Sequence, residues 1–279
     1  MKTHNPAYYI LNILKWLFLI CLLSAALLPL CWLFISSFRT NLELQVSPFG
    51  WPAQFQTVNY VKALQMGQLP RLFLNSVIVA SLAVCLNIAV TSLASFILAR
   101  EFFKGRDLVH TILCAGVLIP VIAFMVPYFT LVTRSGLYNS LAALILVYSS
   151  VNIPVSMFLI TAFMKSIPRE LEEAALIDGC KLWTRFLRII LPLSRSGLAT
   201  AGTFCFIYSW NEFIMAMLLT RSIETRTIQL GIRFFNTQFI VDYASMYAAI
   251  IVTIIPSIAV YVFLHDKIIG GLTAGAVKG

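Results

Sequence analysis

The sequence predicts an all-α polytopic membrane protein with six transmembrane helices and one long cytoplasmic loop. Of the 279 residues, 60% are hydrophobic and 11% are charged, whereas a soluble domain has about 45–50% apolar and about 25% charged residues. The mean hydropathy is +0.89, and several apolar runs are long enough to cross a bilayer. These observations exclude an ordinary soluble globular fold.

Six apolar runs match the roughly 20 residues that a helix needs to cross about 30 Å of hydrocarbon. The first run stays apolar for too long to be a cleaved signal peptide, so we expect it to remain as the first span. Proline residues within these runs each remove a helical hydrogen bond, and they predict bent helices at Pro29, Pro120, Pro127, Pro154 and Pro256. The predicted spans are 16–38, 73–99, 108–131, 140–164, 197–220 and 243–264.

The distribution of positive charge predicts the orientation of the spans. Six spans place both termini on one side of the membrane, together with loops 100–107 and 165–196. Those segments hold 13 of the 20 Lys and Arg residues, so they are predicted to be cytoplasmic. The net charge of +9 forms no basic face with interleaved aromatic residues, and we therefore expect no binding of nucleic acid.

The whole chain, 1–279, is predicted to form a single transmembrane domain. Its core is expected at about 71–264, followed by a Gly-rich tail, 265–279, that is too flexible to fold alone. The outer segments 39–71 and 221–242 mix aromatic, Pro and polar residues, which predicts short interfacial helices and turns.

No catalytic or metal site is indicated by the sequence of this chain. The six cysteines form no CxxC pair, and the three histidines (His4, His110 and His265) are scattered along the chain, so neither a disulfide framework nor a metal site is expected. A phosphate-binding G-x-x-x-x-G-K-[ST] loop is absent from the sequence. The chain is therefore not expected to be an enzyme or to bind a cofactor.

The loop 165–196 is polar and charged, in contrast to the apolar runs around it, and predicts two short helices separated by a bend. Ser166 is the predicted N-cap of the first helix, and Pro168 suits its first turn. The acidic residues that follow lie where the helix dipole favours anions. Gly179 is predicted to end this helix with a positive φ. The acidic residues are Glu170, Glu172 and Glu173.

Two interpretations of this loop remain open from the pattern alone. Helical spacing places Leu171, Ala174, Ala175 and Asp178 on one face, whose small side chains suit the groove of a partner protein. In the alternative, the loop lies on the membrane lipid, with Trp183 and Phe186 buried in it and three basic residues near anionic headgroups. Those basic residues are Lys181, Arg185 and Arg188.

The loop resembles the EAA loop of binding-protein-dependent ABC importer permeases. The resemblance is carried by Glu173-Ala174-Ala175, Asp178-Gly179, Phe186 and Leu191-Pro192-Leu193. Wider similarity runs from Leu74-Asn75-Ser76 through Trp210-Asn211-Glu212-Phe213 to the ending 271–279. That ending looks like that of the second permease subunit of the maltose-type, carbohydrate-uptake branch.

The resemblance implies a set of partners and an energy source. It implies a homologous permease subunit, two copies of a cytoplasmic ABC ATPase that bind ATP and Mg, and an external solute-binding protein, all at a bacterial cytoplasmic membrane. Contact of the tail with the ATPase, at Gly275 and Lys278, is also implied. The residues assigned to ATPase coupling are Glu173, Ala174, Ala175, Asp178 and Gly179.

A polar cluster, Trp210-Asn211-Glu212, lies in the middle of the predicted fifth span. An ionised carboxylate facing lipid costs about 2.5–3.5 kcal/mol on insertion scales, so Glu212 needs a specific environment. One interpretation places the three residues beside the translocation pathway, where they bind sugar hydroxyls and stack on a sugar face. In the other, the helix ends near Trp210 and Glu212 caps a short following helix.

Two other functions compete with the importer permease. An ion-coupled secondary transporter uses intramembrane ionisable residues to bind its coupling ion, and Glu212 is the residue here that qualifies. A non-transporting membrane scaffold is the second rival. Binding of an ATP-hydrolysing partner to the loop 165–196 distinguishes both from the permease.

Overall fold

The computed structural model describes residues 6–65, 68–235 and 242–276. Across those residues the chain is helical with short connections, and no β-strand occurs in them. The all-α prediction is therefore confirmed. The α-helices are α1 (Pro6–Ser36), α2 (Asn41–Val46), α3 (Val58–Gln65), α4 (Leu69–Arg100), α5 (Arg106–Ala115), α6 (Met125–Arg134), α7 (Leu141–Val151), α8 (Ile153–Ser166), α9 (Glu170–Ile177), α10 (Leu182–Arg185), α11 (Leu191–Leu193), α12 (Arg195–Asn211), α13 (Ile214–Leu219), α14 (Ile228–Gly231) and α15 (Tyr243–Ala276).

The helices of the described segments provide up to six membrane crossings, in agreement with the prediction. Helices α1 and α4, and α15 over Tyr243–Leu264, are each long and apolar enough to cross a bilayer alone. Three further crossings are bent pairs that pass the same test together. These pairs are Arg106–Leu118 with Val121–Arg134, Leu141–Val151 with Ile153–Ser166, and Leu182–Leu193 with Arg195–Asn211, bent by 100°, 48° and 73°.

Proline accounts for two of these bends. Pro120 lies at the 100° bend, where the preceding Ile119 has an extended backbone, as expected for a residue before proline. Pro154 stands at the start of α8, directly after the 48° break. By contrast, Pro29 and Pro256 lie inside helices that continue through them.

The predicted fifth span, 197–220, is wrong as a continuous helix. Helix α12 ends at Asn211, and the separate helix α13 begins at Ile214. The apolar residues on either side of this break hide it from a hydropathy profile. Residues 182–193 precede α12 and join it through a bend of 73° at Ser194, and the two segments pass the length and hydropathy test only as a pair.

The described residues divide between two compact units, Met1–Gly67 with Ile232–Val252, and Gln68–Gly231 with Thr253–Gly279. The predicted organisation as a single domain stays a prediction. In the second unit, α4 is the central helix and packs against α7, α8 and α12. Asn87 on α4 donates a 2.8 Å hydrogen bond to the carbonyl of Ser149 on α7, so it joins membrane helices as polar residues commonly do.

The first unit contains α1 and the short helices α2 and α3, which confirms the short helices predicted for this part of the chain. Their interfacial position stays a prediction. The buried guanidinium of Arg39 donates to the carbonyls of Glu43, Ser47 and Pro48 at 2.6–3.0 Å. Thr40 and Glu43 form a capping box at the start of α2. Together these bonds fix the turn that follows the first span.

The last helix is longer than predicted. Helix α15 continues to Ala276, so most of the segment predicted as a flexible tail, 265–279, has a helical backbone. Gly275 lies in this helix, whereas Lys278 lies outside the described residues.

Candidate functional site

Helix α9 contains the residues predicted to couple to an ATPase. Its start differs from the prediction, because Ser166 is the last residue of α8 and donates its hydroxyl to the carbonyl of Phe163 at 2.8 Å. Ile167 is extended before Pro168, which disfavours a helix at that point. The N-cap position of α9 is Arg169, so the assignment of Ser166 as its cap is wrong.

The end of α9 is a Schellman motif centred on Gly179. The backbone N–H of Gly179 donates to the carbonyl of Leu176 at 3.0 Å, and that of Cys180 donates to the carbonyl of Ala175 at 2.9 Å. This pair of bonds defines the motif. Gly179 has a φ of +77°, which confirms the predicted positive φ.

The two faces of α9 divide differently from the prediction. Glu173, Ala174 and Asp178 are exposed, but Ala175 is 6% exposed and packs against the protein. The exposed face instead includes Ile177, at 88%. A short helix that shows an apolar residue and two carboxylates to its surroundings suits the groove of a partner protein.

Glu172 anchors the buried face of α9, a role that its place among the acidic residues of the first turn did not indicate. Its Oε1 lies 3.1 Å from Nε of Arg100 at the end of α4, and its Oε2 lies 3.3 Å from a terminal nitrogen of Arg185 on α10. Arg185 also pairs with Glu101 at 2.7 Å. We call these four residues the α9 anchor. Since Glu172 is 5% exposed and Arg100 7%, the anchor is a buried ion-pair network.

Aromatic contacts place the second helix of the loop. Phe186 is 4% exposed and packs on Phe96 of α4 with ring centroids 5.1 Å apart, so it is buried in protein rather than in lipid. Trp183 is 62% exposed. Of the two aromatic residues in the lipid interpretation, Trp183 is therefore the one with a free surface.

A cavity of about 460 Å³ lies where α12 is interrupted. Tyr208, Asn211 and Glu212 supply the polar groups of its lining, and the remaining lining residues are apolar. A mostly apolar cavity with a few polar groups is typical of a small-molecule site. The apolar lining residues are Val121, Ile122, Met125, Ile207, Phe213, Ile214 and Met215.

Glu212 has two roles at this cavity. It lines the cavity, and its carboxylate caps α13 by accepting the backbone N–H groups of Met215 and Ala216 at 2.7 and 2.9 Å. The hydroxyl of Tyr148 on α7 donates to the same carboxylate at 2.8 Å. The interpretation that Glu212 caps a short helix is therefore confirmed, and three donors converge on its carboxylate.

The other two residues of the polar cluster, Asn211 and Trp210, lie in different environments. Asn211 is exposed and lines the cavity. Trp210 is fully buried, donates its indole N–H to the carbonyl of Thr253 at 3.0 Å and stacks on Phe206. Trp210 is thus a packing residue, and the hypothesis that its indole stacks on a sugar disagrees with this position.

A comparison with protein families identifies the chain. Residues 88–269 match the model of a family described as the binding-protein-dependent transport system inner membrane component. The chain belongs to this family. The matched stretch of the permease includes α9 and the cavity. Membership places the permease in the inner membrane as a transport component and does not favour a scaffold or an ion-coupled carrier.

Two curated relatives resemble the permease along most of its length. It is 34% identical over 259 residues to the sulfoquinovosyl glycerol transport system permease protein SmoH of Agrobacterium fabrum, covering 92% of this chain and 91% of the relative. It is 33% identical over 254 residues to the diacetylchitobiose uptake system permease protein NgcG of Streptomyces coelicolor, covering 90% and 84%.

The fold of the permease is shared with a solved structure. The chain matches a subunit in the crystal structure of a bacterial ABC transporter involved in import of the acidic polysaccharide alginate, with a TM-score of 0.84. The match covers 95% of this chain and 99% of the other, with 21% sequence identity.

Proposed function

We propose that this permease is a transmembrane subunit of an ATP-driven ABC importer for a sugar or oligosaccharide. In this proposal it forms the translocation pathway together with a homologous permease subunit. The observation that carries the proposal is the geometry of α9, a short helix with one exposed face and a Schellman end, in a chain of a transport family.

In the proposed mechanism, α9 transmits the conformational change of the ATPase to the permease. Two copies of a cytoplasmic ABC ATPase bind ATP and Mg, and each coupling helix of the permease pair fits one of them. The ATPase contacts assigned to this chain are Glu173, Ala174, Asp178 and Gly179, with Ala175 supporting the helix from its buried side. Gly275 and Lys278 are assigned a further contact. The importer then moves between inward-facing and outward-facing states as the ATPases close.

The substrate class is supported by the relatives and by the cavity chemistry. The curated relatives carry the names of transport systems for a sulfoquinovosyl glycerol and a diacetylchitobiose. Asn211 offers an amide, and Glu212 offers a carboxylate, to a cavity that is otherwise mostly apolar. Amides and carboxylates bind sugar hydroxyls well, and the apolar lining suits the C–H faces of a sugar ring.

The proposed orientation places both termini and α9 in the bacterial cytoplasm. These segments share one side of the membrane and carry most of the Lys and Arg residues, which are enriched in cytoplasmic loops. An external solute-binding protein then delivers substrate on the opposite side. The family description, which names dependence on a binding protein, supports this partner.

The test is co-purification of the ATPase. The permease, its partner permease and the ATPase are co-expressed, and the complex is isolated in mild detergent through a tag on the permease. We expect the ATPase to co-purify with the unmodified chain and to be lost with Glu173→Lys. A matched control, Glu224→Lys, makes the same charge change at an exposed residue of the segment predicted to lie outside, and should retain the ATPase. A stable permease pair without any ATPase contradicts the proposal.

A further inference from the structure

The α9 anchor joins the coupling helix to the cytoplasmic end of α4. The guanidinium of Arg100, the last residue of α4, lies 3.1 Å from Glu172 and also donates to the carbonyl of Ile167 at 2.8 Å. It therefore holds both α9 and the connection that leads into it. Arg185 holds the other side of Glu172 at 3.3 Å and links it to Glu101 at 2.7 Å.

A second contact attaches the start of α9 to the same part of the chain. The guanidinium of Arg169 lies over the ring of Phe102, 4.8 Å from its centroid, and that of Arg106 lies 5.0 Å from it. Phe102 is 73% exposed, so this cation–π contact is at the surface. The loop after α4 thus contacts α9 at its first turn and at its buried face.

The chain segments that connect α9 to α8 and α10 transmit a displacement less well than the α9 anchor does. The helix enters from an extended Ile167 and leaves through the turn at Gly179 and an extended Lys181. Connections of this kind change their backbone angles readily, as hinge segments do. Without the anchor, a displacement of α9 would change the conformation of these two connections before it moved a membrane helix.

Helix α4 extends from the anchor to the neighbourhood of the cavity. At its far end, Phe73 packs edge-to-face on Trp210 with ring centroids 5.4 Å apart. Trp210 stands two residues before Glu212, at the interruption that lines the cavity. One long helix therefore contacts both the coupling helix and the end of α12.

We propose that Arg100, Glu172 and Arg185 are positioning residues that lock α9 to α4, so that displacement of α9 by an ATPase moves α4 and the cavity wall. This inference rests on the proposed function. Buried ion pairs suit this role, because separating the partners leaves an uncompensated buried charge, so the contact resists opening.

The test uses the full complex with its ATPases and binding protein in proteoliposomes. The variant Glu172→Gln keeps the shape of the side chain and removes its charge. We expect the ATPase to co-purify and to hydrolyse ATP as before, while the amount of substrate taken up per ATP falls by about tenfold, inside the range typical of coupling between sites. Glu172→Asp, which keeps the charge, should restore part of the loss.

The matched control is Glu170→Gln, which removes the charge of an exposed acid in the same helix and should leave uptake per ATP unchanged. A second variant, Phe102→Leu, removes the surface contact without disturbing the buried pairs, and should lower uptake per ATP by about threefold. It keeps the inference testable if Glu172→Gln does not fold.

The outcomes separate this inference from the proposed function. If the unmodified permease co-purifies with no ATPase, the proposed function fails. If the unmodified complex couples normally and Glu172→Gln transports as much per ATP as Glu170→Gln does, the inference alone is overturned. If Glu172→Gln does not fold, the same result with Phe102→Leu overturns it.

Discussion

The carboxylate of Glu212 accepts a hydrogen bond from the hydroxyl of Tyr148, with 2.8 Å between the oxygens. The two residues belong to different membrane crossings, since Tyr148 is on α7 and Glu212 follows α12. The bond ties the wall of the cavity to a core helix, because Tyr148 is fully buried. The same carboxylate caps α13, so one side chain fixes the interruption of the fifth crossing from two directions.

Tyr148→Phe should destabilise the permease without changing its fold. It removes one hydrogen bond to a charged group, which contributes about 1.5–3 kcal/mol, and it leaves the two backbone donors on Glu212. We expect the apparent unfolding temperature in detergent to fall by several degrees. Tyr208→Phe is the control, because the structure records no hydrogen bond from that hydroxyl among the described residues. Equal unfolding temperatures for both variants would contradict the assigned role of the Tyr148 bond.

Ile122→Trp should block transport by filling the cavity. Ile122 lines the cavity and is 65% exposed, so the larger side chain has room to enter it. We expect ATP-dependent uptake to fall to background while the ATPase still co-purifies. The control is Ile112→Trp, at an equally exposed residue of α5, at 63%, that is not among the cavity lining. Normal uptake by Ile122→Trp would exclude this cavity from the pathway.

Gly179→Ala should weaken coupling through backbone strain. A left-handed backbone costs a residue with a Cβ about 1–2 kcal/mol, which corresponds to about a 5- to 30-fold shift in a conformational equilibrium. We expect loss of the Schellman end of α9 and a matching loss of ATP-dependent uptake. Gly136→Ala introduces the same strain at a φ of +70° in another loop, also with open space around the new Cβ. If both variants lose uptake equally, strain at α9 has no special importance.

Gly197→Ala should destabilise α12 where it approaches α8. An added Cβ would lie 2.6 Å from Cγ of Phe163, and overpacking of this kind costs about 1–3 kcal/mol. At Gly202, on the same helix, the nearest atom to an added Cβ is a Val84 methyl at 3.4 Å. Gly202→Ala should therefore be neutral or slightly stabilising. Thermal unfolding of the two variants measures the difference, and a stable Gly197→Ala protein would contradict the close contact.

Local sequence signals predicted those features that depend on neighbouring residues. The φ of Gly179 follows from its position at a helix end, and the bends at Pro120 and Pro154 follow from the ring geometry of proline. The hydropathy runs located the candidate crossings other than the fifth for the same reason, because each of those depends on a continuous stretch of sequence.

Features that depend on distant residues were not predictable in this way. Nothing near Glu172 in the sequence indicates that Arg100 lies beside it, so Glu172 was grouped with the acids that favour the helix dipole. Local sequence left the break after Asn211 as one of two interpretations, because the apolar residues on both sides favour a continuous span whereas Glu212 favours a helix cap. Trp210 was assigned to the pathway together with its polar neighbours Asn211 and Glu212, yet the packing of Phe73 and Phe206 around it decides its role.

The central claim is that this permease is a subunit of an ATP-driven importer, and a measurement of substrate uptake under different energy sources tests it most directly. The permease is reconstituted in proteoliposomes with its partner permease, ATPase and binding protein, and uptake of labelled substrate is measured with ATP or with an imposed proton or sodium gradient. The account predicts uptake that requires ATP, requires the binding protein and is lost with Glu173→Lys. Uptake driven by an ion gradient in the absence of ATP would contradict it.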